Sequence, residues 1–136
     1  MTIRNLVLGA GLAAILWSPL LKAQTAEVAT VPFGFHANSI TLPAGEYTVI
    51  KDTMSGILRL RSNETNKSVL LMAPNRKSGD LEDSKLTFHR YGDHYFLAEI
   101  WIPGNPAYAF AKSSLEKEME NGGARVAMAY VPLATR

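Results

Sequence analysis

SKLTFHRYGDHYFLAEIWI, Ser84 to Ile102, decides the fold. It reads as one long antiparallel hairpin turning at Gly92-Asp93, because glycine reaches positive φ without steric cost and fills a central position of a primed turn. Pairing Tyr91 with His94 sets Arg90 opposite Tyr95, Phe88 opposite Leu97 and Leu86 opposite Glu99. Side chains alternate with period two. One face then carries Leu86, Phe88, Arg90, Tyr95, Leu97, Glu99 and Trp101. The other carries Thr87, His89, Tyr91, His94, Phe96, Ala98, Ile100 and Ile102. Neither face is cleanly polar, so the hairpin is expected in the middle of a sheet covered on much of both sides.

Working outward, the remaining segments alternate in the same way. Val31 to Ala37 reads as a half-buried strand, with Pro32 at an edge or strand start and Gly34 at a bend. Leu42-Pro43-Ala44-Gly45 has the pattern of a type I turn and leads into Glu46 to Lys51, where Tyr47 and Val49 share a face. Asp52 to Gly56 is turn-rich. Ile57 to Arg61 places Leu58 and Leu60 on one side and Arg59 and Arg61 in water. Val69 to Ala73 is a uniformly apolar strand stopped by Pro74, and Asn75 to Asp83 reads as a charged exposed loop. After the hairpin, Pro103 to Tyr108 is read as a loop. Ser113 to Glu120 forms a short helix, with Ser113 and Glu116 at capping-box spacing, Gly122 past its end, and Leu115 and Met119 as its buried stripe. Ala124 to Val131 closes the chain as a strand, with Val126, Met128 and Tyr130 on one face.

These segments predict an all-β domain of about seven strands, an antiparallel sheet forming a sandwich or a small partly open barrel, with one short C-terminal helix before the last strand. Sequential strands are expected to pair as a meander, and the last strand to pair with the first, which removes exposed edges.

Met1 to Ala23 stands apart. It carries Arg4 early, runs apolar from Leu6 to Leu21 and ends in Leu-Lys-Ala, the anatomy of a secretory signal. The domain is accordingly placed at 24–136. The apolar run is short for a membrane span, which takes about 20 residues. The competing reading is a retained anchor, since Leu21 is not small and Lys22 lies beside the site; a cut after Ala26 is a further alternative. Membrane association follows only if the leader stays. The expected location is periplasmic or extracellular.

Fourteen Lys and Arg stand against twelve Asp and Glu, and removal of Arg4 and Lys22 leaves twelve of each. The basic balance thus belongs to the leader. Basic residues in the rest of the chain are scattered rather than clustered, which argues against nucleic acid as a partner. There is no cysteine, so thiol chemistry and Cys-ligated zinc are excluded.

The chain resembles a group of small secreted bacterial all-β proteins through VPFGF at Val31 to Phe35, LPAGEYTV at Leu42 to Val49 and KLTFHRYGDHYFLAEIW at Lys85 to Trp101. The resemblance implies export and a compact β fold, and it carries over no catalytic residue.

Four groups of residues are candidates for chemistry. His89 and His94 share a face on neighbouring strands with Tyr91 and Thr87, and with His36 from the first strand they are the only metal candidates; without a carboxylate or cysteine at ligand spacing, hairpin packing is the preferred reading. Glu99, placed among Leu86, Leu97 and Trp101, needs a partner, with Arg90, Arg59 or Arg61 expected, or else acts as an acid or base of raised pKa. The Pro103 to Tyr108 loop, with Tyr108, Trp101, Glu99 and Arg90, is the candidate ligand-binding element, against a plain crossover. Ser113-Ser114 is read as a helix cap, since no Gly-x-Ser-x-Gly elbow surrounds it.

No cofactor is implied. The favoured function is that of an exported non-catalytic β-domain that binds an envelope partner or a small apolar or glycan ligand. The alternatives are an exported hydrolase using Glu99 or His89 and His94, and a structural component of a surface layer. No paired carboxylates appear at hydrolase spacing, which favours binding.

Overall fold

The computed structural model describes residues 26–51, 57–79 and 82–135. The expected signal, Met1 to Ala23, and the expected turn, Asp52 to Gly56, lie outside the described residues. In chain order the strands are β1 (Glu27–Val31), β2 (Phe35–Ala37), β3 (Ile40–Leu42), β4 (Gly45–Lys51), β5 (Ile57–Ser62), β6 (Ser68–Met72), β7 (Asn75–Lys77), β8 (Lys85–Tyr91), β9 (His94–Trp101) and β10 (Ala107–Ala109). The helix α1 (Ser114–Asn121) then precedes β11 (Ala127–Pro132) and β12 (Ala134–Thr135). The all-β class and the short helix ahead of the final strands are as the sequence predicts.

The strands form two sheets. The first runs β12-β1-β4-β5-β6, and the second runs β11-β8-β9-β10-β7 with the β2-β3 hairpin set beside β9. The expectation of one strand over Val31 to Ala37 is corrected here. Pro32 cannot donate to a ladder, so β1 stops at Val31 and the chain crosses between sheets; β2 joins the second sheet through a parallel bridge of His36 to Phe96. Phe33, at the crossing, stacks on Tyr95 with ring centroids 3.7 Å apart. The end of the chain does return to its start, with Val28 opposite Ala134, but β11 itself pairs with β8.

The two inner faces share one apolar core. Phe35 meets Tyr47 edge-on at 5.2 Å and Phe88 at 5.4 Å, which joins the first sheet to the second. Such pairs add about 0.5 to 1.5 kcal/mol beyond their burial. Leu58, Leu60, Leu71 and Leu86 fill the space around them. Arg59 and Arg61 are exposed as expected. In β6 the apolar run also alternates, so Val69 and Leu71 are buried while Leu70 and Met72 are exposed. The loop expected over Asn75 to Asp83 begins as a strand, because Asn75, Arg76 and Lys77 pair with β10.

The hairpin turns at Gly92, whose φ of 59° suits the left-handed region that a primed turn requires. Tyr91 pairs with His94, Arg90 with Tyr95 and Phe88 with Leu97, as the turn dictates. Beyond that point the register shifts. Thr87 faces Glu99, Leu86 faces Ile100 and Lys85 faces Trp101, so Ala98 is the extra residue of a β-bulge. Its carbonyl accepts from the Phe110 amide at 2.9 Å. The bulge swaps the two faces for the rest of β9. Ile100 joins Phe88 and Leu97 in the core, and Glu99 and Trp101 turn to the outer face with Thr87.

Candidate functional site

The outer face of β8 and β9 carries His89, Tyr91, His94 and Phe96, by the same alternation that sends Phe88 and Leu97 inward. His36 arrives on this face from β2. Its ring lies 4.7 Å from Phe96 and 5.8 Å from His94, nearly parallel to both. All three histidines of the chain therefore share one surface. Thr41 Oγ1 sits 3.1 Å from His36 Nδ1. Burial, and then the charge of His94, hold the His36 imidazole below its ordinary value, so it favours the neutral form.

Helix α1 lies across this face. Ser113 caps it, with Oγ accepting from the Glu116 amide at 3.2 Å, and Gly122 ends it with its amide on the Glu118 carbonyl. The expected apolar stripe holds only in part: Met119 is half-buried, but Leu115 is 42% exposed, and the buried residue of the helix is Glu116, 4% exposed. Glu116 Oε2 accepts from the Tyr91 hydroxyl at 2.9 Å and lies 2.7 Å from His89 Nδ1. Burial pushes the Tyr91 hydroxyl well up, reinforced by its bonds to the Glu116 and Glu120 carboxylates, so it stays a donor. Lys112 pairs with Glu120 at the surface. An eight-residue helix is marginal by itself; here a buried carboxylate with two donors fixes it to the sheet.

Between the start of α1 and the β2-β3 hairpin lies a cleft of 270 Å³. His36, Asn38, Ser39, Thr41, Ser113 and Ser114 bring hydrogen-bonding groups to it, and Phe96 and Leu115 bring apolar surface. None of these side chains carries a formal charge while His36 is neutral. Such a lining suits a small neutral molecule with several hydroxyl or amide groups.

The other candidates lie elsewhere. Glu99 binds Lys77 at 2.9 Å and accepts from Trp101 Nε1 at 3.1 Å, not from an arginine, because the bulge carries it to the outer face, where Lys77 of β7 reaches it across β10. Trp101 is buried with its ring against Gly79, where an added Cβ would come within 2.3 Å of it. Tyr108 is a core residue of β10 and not a loop aromatic, with the Arg76 guanidinium 3.9 Å from its ring centre. Arg90 braces the hairpin turn through Nε on the Gly92 carbonyl at 2.8 Å.

His89 and His94 do share a face, but His89 turns to Glu116 and His94 stacks on His36. Among the described residues no three His, Cys, Asp or Glu side chains converge to hold a metal. The sequence reading missed Glu116 as a contact residue. The available signal was the His89 and Tyr91 pair, two donors on one strand face that need an acceptor once covered. Compared with known proteins, the chain matches no family model, no curated protein and no solved structure.

Proposed function

We propose that this protein is an exported, non-catalytic β-domain that binds a small neutral polyhydroxylated ligand, such as a glycan unit, in the cleft between α1 and the β2-β3 hairpin. One observation carries the reading: six uncharged hydrogen-bonding side chains and two apolar ones converge on 270 Å³ of space. That is just below the range of about 300 to 1,000 Å³ typical of drug-sized ligands, and suits a single ring. Export is supported by the Met1 to Ala23 pattern.

A glycoside hydrolase needs two carboxyl groups flanking one bond. Glu99 is bonded to Lys77 and Trp101, and Glu116 to His89 and Tyr91, so both are engaged in holding structure. Binding is therefore favoured over hydrolysis.

Titration calorimetry of the purified protein with neutral mono- and oligosaccharides tests the reading. Saturable heat is expected, and Ser114→Trp, which fills the cleft from an exposed position, should raise Kd by about tenfold or more. No heat with any neutral sugar, or binding indifferent to Ser114→Trp, would reject it.

A further inference from the structure

The outer edges of the two sheets are guarded unequally. β12, β3 and β7 are edges of two or three residues, and β7 also carries Arg76 and Lys77. β6 is longer, but the Asn38 side chain reaches over from the β2-β3 turn and donates to its Leu70 carbonyl at 2.9 Å. Short length, positive charge and a covering side chain are the usual ways to keep an edge from pairing with another chain. β11 has none of them, and its one guard is Pro132 at the far end, which leaves Ala127 to Val131 open. It is the longest edge strand among the described residues, and Ala127 to Pro132, AMAYVP, contains no charge.

The backbone groups available on that edge follow from the ladder. The Leu133 amide donates to the Ser84 carbonyl, which continues the pairing of β11 with β8. Because successive residues of a strand point their amide and carbonyl to opposite sides, Val131, Ala129 and Ala127 face β8, and Met128 and Tyr130 face away from it. The side chains of Met128 and Tyr130 are 46% and 59% exposed on the outer face.

We infer that β11 is a self-association edge, and that its occupant is the β11 of a second copy of this chain, paired antiparallel about a two-fold axis at Ala129. In that register Met128 of each copy meets Tyr130 of the other, and the two pairs exchange about four backbone hydrogen bonds. Methionine against tyrosine is a favourable cross-strand contact. Ala129 meets its own copy at the axis, where a small side chain permits close approach. The match is self-complementary, as a two-fold interface must be. With no charge in the strand, no like charges oppose each other across it.

Sedimentation equilibrium of the purified protein up to about 1 mM tests this, the range in which a small strand-to-strand interface is populated. The wild type should show a reversible dimer. Met128→Lys and Tyr130→Lys, both at exposed positions, should weaken it about tenfold or more by setting charge on the edge. Leu70→Lys, on the covered β6 edge, should leave it unchanged. Since the chain has no cysteine, Ala129→Cys should oxidise to a single disulfide-linked dimer. A wild type that stays monomeric, a dimer insensitive to Met128→Lys and Tyr130→Lys, a dimer dissociated by Leu70→Lys, or an Ala129→Cys protein that does not crosslink would each overturn the assignment.

Discussion

Two layers hold this protein together, and they are built from opposite chemistry. Between the sheets, Phe35, Tyr47, Phe88, Leu58, Leu60 and Leu86 pack as an apolar interior drawn from both inner faces. Between the second sheet and α1, the contact is polar: Glu116 on Tyr91 and His89, with Phe96 and His36 alongside. The inner layer depends on area removed from water and forms with the whole fold. The outer layer depends on a few hydrogen bonds whose loss leaves buried groups unpaired. The proposed ligand cleft lies in the outer layer, so its shape rests on far fewer interactions than the fold does.

The largest effect should come from the inner layer. Phe88 has no exposed surface and packs edge-on against Phe33 at the crossing between the sheets and Phe35 of β2. Phe88→Ala should cost about 3 to 5 kcal/mol, read as a lower urea midpoint for the whole molecule. Glu116→Ala removes the acceptor of two donors and should cost about 1 to 3 kcal/mol. If its cost equals that of Phe88→Ala, the division into a strong and a weak layer is lost. Ser113→Ala removes the cap that holds the Glu116 amide and should cost about 1 kcal/mol, again by urea titration.

The smallest effect concerns pH. Burial, and then His94, lower the His36 value from 6.5, so the folded protein binds this proton more weakly than the unfolded chain does. Its contribution to stability is therefore complete above about pH 6.5 and is lost as pH falls from there through the lowered folded value. Thermal midpoints should drop across that window, and His36→Gln should flatten the drop. An identical drop in the variant would remove His36 from the account.

How much of this was legible depended on whether a local signal fixed the answer. Gly92-Asp93 did so for the hairpin, and pairing follows from it as far as Phe88 and Leu97. The bulge at Ala98 had no local mark. Its cause lies in the tertiary structure, where the Phe110 amide takes the Ala98 carbonyl and Ile100 is drawn inward. One extra residue was enough to move Glu99 and Trp101 to the opposite face. In β6, four apolar residues in a row gave no parity, so Leu70 and Met72 could not be assigned outward from sequence. The strand at Asn75 to Lys77 was hidden by its polar composition, since β7 is an exposed edge held by its pairing with β10 and by the side-chain contacts of Lys77 with Glu99 and Arg76 with Tyr108.

The candidate site was read in halves. Alternation placed His89, Tyr91, His94 and Phe96 together, and the capping box located α1. What joined them was not visible, because hydrophobic periodicity assigns Leu115 and Met119 to the inside of the helix. A carboxylate is buried in preference to a leucine only when donors await it, and those donors lie more than twenty residues earlier in the chain.

Amide hydrogen exchange of α1 tests most directly whether Glu116 holds the helix in place. In Glu116→Ala the amides of Lys117 to Asn121 should exchange much faster than in the wild type, while those of β8 and β9 keep their protection, and Leu115→Ala should leave α1 protected. Unchanged protection of α1 in Glu116→Ala, with its loss in Leu115→Ala, would contradict the account and restore an apolar attachment of the helix.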